Sequence, residues 1–205
     1  MSSSVSGAIA WNTPVIINSG DVVASADLNN LNKDVAALHA RPWWNGWHTA
    51  TPGTGSTGTT ITLFNGSNWT SVTSTSGVQT ISPSSGVFTP TIPGMYRITA
   101  SISAAPIASA HFAIQVVAQG ASSSIIFPGS MCATDSTTGV INASTISLCL
   151  PMGTGAPNMA GVSFTNFYIR VATYHGSPVY YGTGLAGYIP TYAMVEGPVA
   201  SFGAY

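Results

Sequence analysis

Residues 95–104 set apolar Tyr96, Ile98, Ala100 and Ile102 against polar Arg97, Thr99, Ser101 and Ser103. Strict alternation sorts the two sets onto opposite sides of an extended chain, because successive side chains of a strand point to opposite faces. A helix would spread both sets around its circumference. The run is entered through Phe88-Thr-Pro-Thr-Ile-Pro-Gly94, and a Pro-Gly pair is a turn signal. A half-buried strand leaving a tight turn commits the chain to a sheet with one dry face. Further strand-like runs cover 60–64, 77–82, 112–118, 124–127, 145–150, 164–173 and 191–195. Turns of Gly, Pro, Asn and Ser separate them. This pattern predicts an all-β fold, a double-sheet β-sandwich or jelly roll.

The polar side of those strands is almost free of charge. Only 4% of the 205 residues are Asp, Glu, Lys or Arg, against roughly 25% in ordinary globular domains. Serine and threonine take over the polar surface, and 45% hydrophobic residues supply a core. Four Lys+Arg cannot replace the counterions of a phosphate backbone, so no nucleic-acid partner is expected. Small soluble domains normally carry several net charges. A net charge of −1 therefore points to surface buried between subunits; the other reading is a monomer solubilised by hydroxyls. No stretch has the roughly 20 apolar residues of a membrane span. Met-Ser-Ser-Ser-Val-Ser has no basic start and no apolar run behind it, so no signal peptide is expected. Cys132 and Cys149 lie in strand-like contexts and read as buried free thiols, with pairing left open.

The front of the chain differs in kind. Residues 1–23 read as an extended arm with Trp11, Pro14 and a turn at Asn18-Ser-Gly20-Asp21. A helix is expected over about 25–40. Ser25 caps it, Asp27 favours the positive end of its dipole, and Pro42 stops it. Ala24, Leu28, Leu31, Val35 and Leu38 are spaced 4, 3, 4, 3, which is a short coiled-coil seam or the buried stripe of a lone helix. Asp21, Asp27, Lys33, Asp34 and Arg41 crowd this segment and mark a boundary. Trp43-Trp44-Asn-Gly-Trp47-His48 follows as an aromatic knot, read as an anchor or as a sugar-stacking platform. The expected organisation is an anchoring arm over 1–48, a Gly/Ser/Thr linker over 49–58 and the β-domain over 59–205.

Catalytic motifs do not survive inspection. Gly53-Thr-Gly55-Ser-Thr-Gly58 fits a dinucleotide fingerprint, but it neither follows a strand nor opens a helix. His39, His48, His111 and His175 lack metal-ligand spacing. The β-domain holds two acids, Asp135 and Glu196, and a glycosidase needs a facing pair. No enzyme activity, catalytic residue, metal or cofactor is expected. Tyr174, Tyr180, Tyr181 and Tyr188 crowd a Gly/Pro-rich stretch. They read as a recognition surface or as inter-subunit packing.

Two resemblances extend this reading. Phe88-x5-Gly94-x-Tyr96-x-Ile98 resembles the signature of the complement globular-head, tumour-necrosis-factor-like trimeric jelly rolls. It departs from that signature in Ile98, where the family has Phe. The resemblance implies a homotrimer in which Phe88, Gly94, Tyr96 and Ile98 serve the core or the trimer axis. The segment Trp11-x2-Pro14-x5-Gly20-Asp-Val-Val-Ala-Ser-Ala-Asp-Leu28-Asn resembles the opening of many tailed-bacteriophage virion proteins. That implies an arm docking onto other virion proteins through Trp11, Leu28, Leu31, Val35, Leu38, Trp43, Trp44 and Trp47. The expectation is a virion structural protein made in the host cytoplasm: a trimeric short fibre or minor tail protein displaying a β-knob for host-surface contact, with a surface glycan as one candidate target. The alternatives are a capsid decoration or head-fibre protein and a carbohydrate-binding module.

Overall fold

The computed structural model describes Leu28, Asn29, Ala156 and residues 41–74, 81–105, 109–134, 142–153, 158–182 and 191–200. Strands are β1 Trp43–His48, β2 Gly53–Thr54, β3 Thr60–Thr62, β4 Trp69–Thr73, β5 Val87–Phe88, β6 Gly94–Ala104, β7 His111–Gln119, β8 Ser124–Ala133, β9 Asn142–Met152, β10 Asn166–His175, β11 Val179–Tyr180 and β12 Tyr192–Ala200. The pairing is nested. The adjacent strands β7 and β8 pair with each other; outside them β6 pairs β9, β3 pairs β10, and β1 pairs β12, all antiparallel. The chain is thus one long hairpin rolled up on itself, which is the jelly roll. Rolling yields two sheets: β9-β6-β12-β1-β4, with β11 and β2 at the end of β6, and β8-β7-β10-β3, with β5 also on β10.

The core lies between these sheets and follows the alternation. Tyr96, Ile98, Ala100 and Ile102 of β6 face Phe112, Ile114, Val116 and Ala118 of β7 and Phe167, Ile169 and Val171 of β10. Gly94 enters β6 at φ 153, a backbone open only to glycine. The Tyr96 hydroxyl then donates to Ile92 O at 2.6 Å, which ties the entering turn to the strand it feeds. An aromatic cluster closes one end of the core. Phe64, Phe88 and Trp69 pack edge-on around Trp44 at 5.0, 4.9 and 5.9 Å, and Phe88 stacks on Phe167 at 4.9 Å.

Several expectations change here. Residues 43–48 are not the end of an arm; they are the first strand of the sandwich, and the β-domain begins by Arg41. The reason is two-sided patterning, with Trp44, Gly46 and His48 facing the core and Trp43, Asn45 and Trp47 facing outward. Residues 49–58 are not a free linker either. Gly53 and Thr54 pair with β11, Gly55 N donates to Pro178 O, and Gly58 N donates to Thr173 O. Hydrogen-bonded glycine backbone is as ordered as any other. Strand β8 continues past Phe127 through Pro128 and Gly129. It is the edge of its sheet, where a missing donor is tolerated, and a register shift accommodates it. Of the run at 77–82, residues 77–80 lie outside the described residues, and Ile81 and Ser82 are not in a strand. Cys132 and Cys149 are both free; Cys149 is exposed on β9, not buried. Leu28 and Asn29 have helical conformation and are exposed, while the rest of 25–40 lies outside the described residues.

Candidate functional site

The outer face of the first sheet is a grid fixed by strand register. One row runs Ser74, Trp43, Glu196, Arg97, Cys149 from β4's end to β9. The next runs Val72, Asn45, Met194, Thr99, Ser147, and the third Thr70, Trp47, Tyr192, Ser101, Thr145. The second and third rows carry no charge. Val72 is 50% exposed and Trp43 38%, whereas Ser101 is 4% exposed. A Thr99–Ser147 hydroxyl pair at 3.3 Å bridges β6 and β9 on this face. Trp47, Tyr192, Met194 and Val72 on these two uncharged rows suit burial against protein, since aromatics and Met are enriched and charge depleted at interface centres.

Charge is confined to one end of that face. Glu196 accepts from Arg41 Nη1 at 2.9 Å and from Arg97 Nη1 at 3.4 Å, so both carboxylate oxygens are engaged. Gly197 N donates to Pro42 O at 3.0 Å beside them. This clamp fixes Arg41 and Pro42 against β6 and β12. It also commits Glu196 to a structural ion pair.

His48 is sealed within the aromatic cluster at 3% exposure. Its Nε2 accepts from Phe64 N–H at 3.2 Å, which requires an unprotonated Nε2. The proton therefore sits on Nδ1 and is donated to Asn68 O at 3.0 Å. Burial lowers its pKa to about 4, and the bond to Asn68 opposes that only partly. The ring joins β1 to the turn at Phe64, whose φ of 58 is unusual for a side chain of that bulk.

On the outer face of the second sheet, Gln115 Nε2 donates to the Tyr174 hydroxyl at 2.7 Å and Arg170 Nε donates to Gln115 Oε1 at 2.8 Å. Tyr174 is 46% exposed, Ile126 47% and Met131 61%.

The sequence-predicted site residues are thereby dispersed. Trp44 is fully buried and serves the core, so it is not free to anchor the chain to a partner; Trp43 and Trp47 are on the outer grid. Trp11, Leu31, Val35 and Leu38 lie outside the described residues, and Leu28 is exposed. Phe88, Tyr96 and Ile98 are enclosed within one protomer, which leaves none of them at a surface where an axis between subunits could pass. Of the tyrosines, Tyr174 is exposed, Tyr181 is half-buried and Tyr188 lies outside the described residues. Tyr180 is not a surface residue. It is fully buried, its hydroxyl is 2.7 Å from that of Thr173, and burial pushes its pKa up to about 12. Asn45, Val72 and Met194 were missed. Only Met194 carried a local signal: it lies between apolar Ala193 and Val195, and apolar residues at successive positions fall on both sides of a strand.

Among the described residues no three His, Cys, Asp or Glu side chains gather as a metal site, and no helix is long and apolar enough to cross a membrane. No protein-family model matches the sequence, and no curated protein matches it. Solved structures do share its general shape. Murine APRIL aligns over 76% of this chain and 98% of its own, at 7% identity and a TM-score of 0.49. Eiger TNF from S. frugiperda aligns over 80% and 98%, at 11% identity and 0.46. The PRD1 vertex protein aligns over 80% and 98%, at 17% identity and 0.40. Likeness this distant is a matter of fold and says nothing of function.

Proposed function

We propose that this protein is a non-catalytic virion subunit, a jelly roll that trimerises through the outer face of its first sheet and is held to the particle by the segment preceding Arg41. The observation that carries the reading is the uncharged grid centred on Trp47, Met194 and Tyr192. A stable free monomer gains nothing from such a face, while a closed ring of copies hides it. Three-fold stoichiometry rests on the resemblance of Phe88–Ile98 to trimeric jelly rolls, and the virion setting on that of the Trp11–Asn29 segment to phage virion proteins. Within that setting we place it on the tail, as a short fibre or minor tail protein. The Tyr174 and Met131 face is then turned outward to the host surface. Glu196 is tied up by two arginines, so its carboxylate serves the clamp and not general acid–base chemistry.

Light scattering on the full chain tests the assembly. Wild type should weigh three chains, and Met194→Asp, which puts an unpaired charge into the grid, should weigh one while keeping a cooperative melt. A wild-type monomer, or a Met194→Asp trimer, overturns the proposal.

A further inference from the structure

The strand register brings together two histidines that are 64 positions apart in the chain. His111 opens β7 and His175 closes β10, and they are directly paired across the two strands. Both are exposed, and their ring centroids are 5.8 Å apart at an interplanar angle of 50°. We propose that this pair is a two-imidazole site for a first-row divalent transition ion.

The spacing fits the coordination geometry. With a metal–nitrogen bond of about 2.0–2.1 Å and a ring nitrogen about 1.2 Å from its centroid, a tetrahedral ion holds two imidazole centroids roughly 5.2 Å apart. The observed 5.8 Å is within reach of a small side-chain rotation. The backbones beneath are fixed. Ala110, just before His111, exchanges bonds with Thr134: Thr134 N donates to Ala110 O at 2.7 Å and Ala110 N donates to Thr134 Oγ1 at 3.0 Å. Gly176, just after His175, turns at φ 74 so closely over Ala110 that a Cβ there would lie 2.9 Å from it. The two imidazoles are therefore presented from one braced corner, and the entropy of bringing them together is spent in folding. Imidazole suits Zn²⁺, Ni²⁺ and Cu²⁺, and binding strength should rise toward Cu²⁺; a hard ion such as Mg²⁺ prefers oxygen and should be ignored. Two protein ligands leave the remaining positions to water or to a group on a docked partner.

The other candidate ligands can be separated. His48 is buried with both nitrogens bonded. The exposed Cys149 thiol and His39 are removed in a Cys149→Ser, His39→Ala background. Calorimetric titration of that full-length protein with Ni²⁺ and with Zn²⁺ should show one site per chain. Its Cu²⁺ spectrum should show hyperfine splitting from two nitrogens. His111→Ala and His175→Ala should each weaken binding by at least about tenfold, because one remaining ligand cannot chelate, while leaving the melting temperature of the metal-free protein unchanged. Absence of binding in the background protein, equal affinity in the His111→Ala, His175→Ala double variant, or binding of Mg²⁺ in place of Ni²⁺ overturns the assignment.

Discussion

Acidification is expected to loosen the sandwich through one buried ring. His48 is held neutral in the fold, with a pKa of about 4 against an ordinary 6.5, because burial penalises its charged form. Protonation would also set an Nε2–H against the Phe64 N–H it now accepts. The folded pKa is the lower one. The stabilising difference is therefore complete above pH 6.5 and is lost as pH falls toward 4. The unfolded chain takes up the proton first, so stability declines by about 1.4 kcal/mol per pH unit inside that window. The integrated loss is about 2 kcal/mol at pH 5 and about 3 kcal/mol at pH 4. For a domain whose whole stability is on the order of 5–15 kcal/mol, that is a large share. Urea unfolding of the full chain at pH 7, 6, 5 and 4 measures it, alongside His48→Gln, which keeps an acceptor for Phe64 but cannot titrate. Carboxylates contribute equally to both proteins, so the difference between the two pH profiles isolates His48. Parallel profiles would refute the reasoning, and would mean that the ring takes up its proton alike in the folded and unfolded chain, as a solvent-open imidazole does.

Two further substitutions probe the packing. Gly46→Ala places a Cβ 2.1 Å from the buried Trp44 ring; overpacking of this kind should cost about 1–3 kcal/mol, read as a lower denaturant midpoint, and an unchanged midpoint would show that Trp44 has room to move. Glu196→Gln removes the charge shared by Arg41 and Arg97, but the groups are partly exposed, so the loss should stay below about 1 kcal/mol, and a larger fall in stability would contradict the surface character given to the clamp.

Much of the fold was legible because alternation is a direct consequence of strand geometry. The 95–104 run lies within β6 as Gly94–Ala104, with its apolar set inside. Strand β1 was not legible for the opposite reason. Its tryptophans fall on both faces, and Trp-Trp-Asn-Gly-Trp-His shows no polar–apolar alternation although its period is 2. Residues 49–58 were misread because glycine and threonine give no side-chain signal of the backbone bonds that Gly55 and Gly58 make. Tyr180 was misread because composition cannot reveal that Thr173 waits to satisfy its hydroxyl. The outer grid depends on register across five strands, and the His111–His175 pair on register between β7 and β10. Register comes from the whole roll, so no local window contains it.

We propose a virion subunit that trimerises through one sheet and attaches by its N-terminal segment. A density map of the purified particle, compared with particles made without residues 1–40, tests it directly. Three-fold knobs are expected, their first sheets facing one another and residues 1–40 against neighbouring virion proteins, and the knobs should be lost from the truncated particles. Knobs that persist without residues 1–40, or sandwiches whose Trp47–Met194 face lies open to solvent, would contradict it.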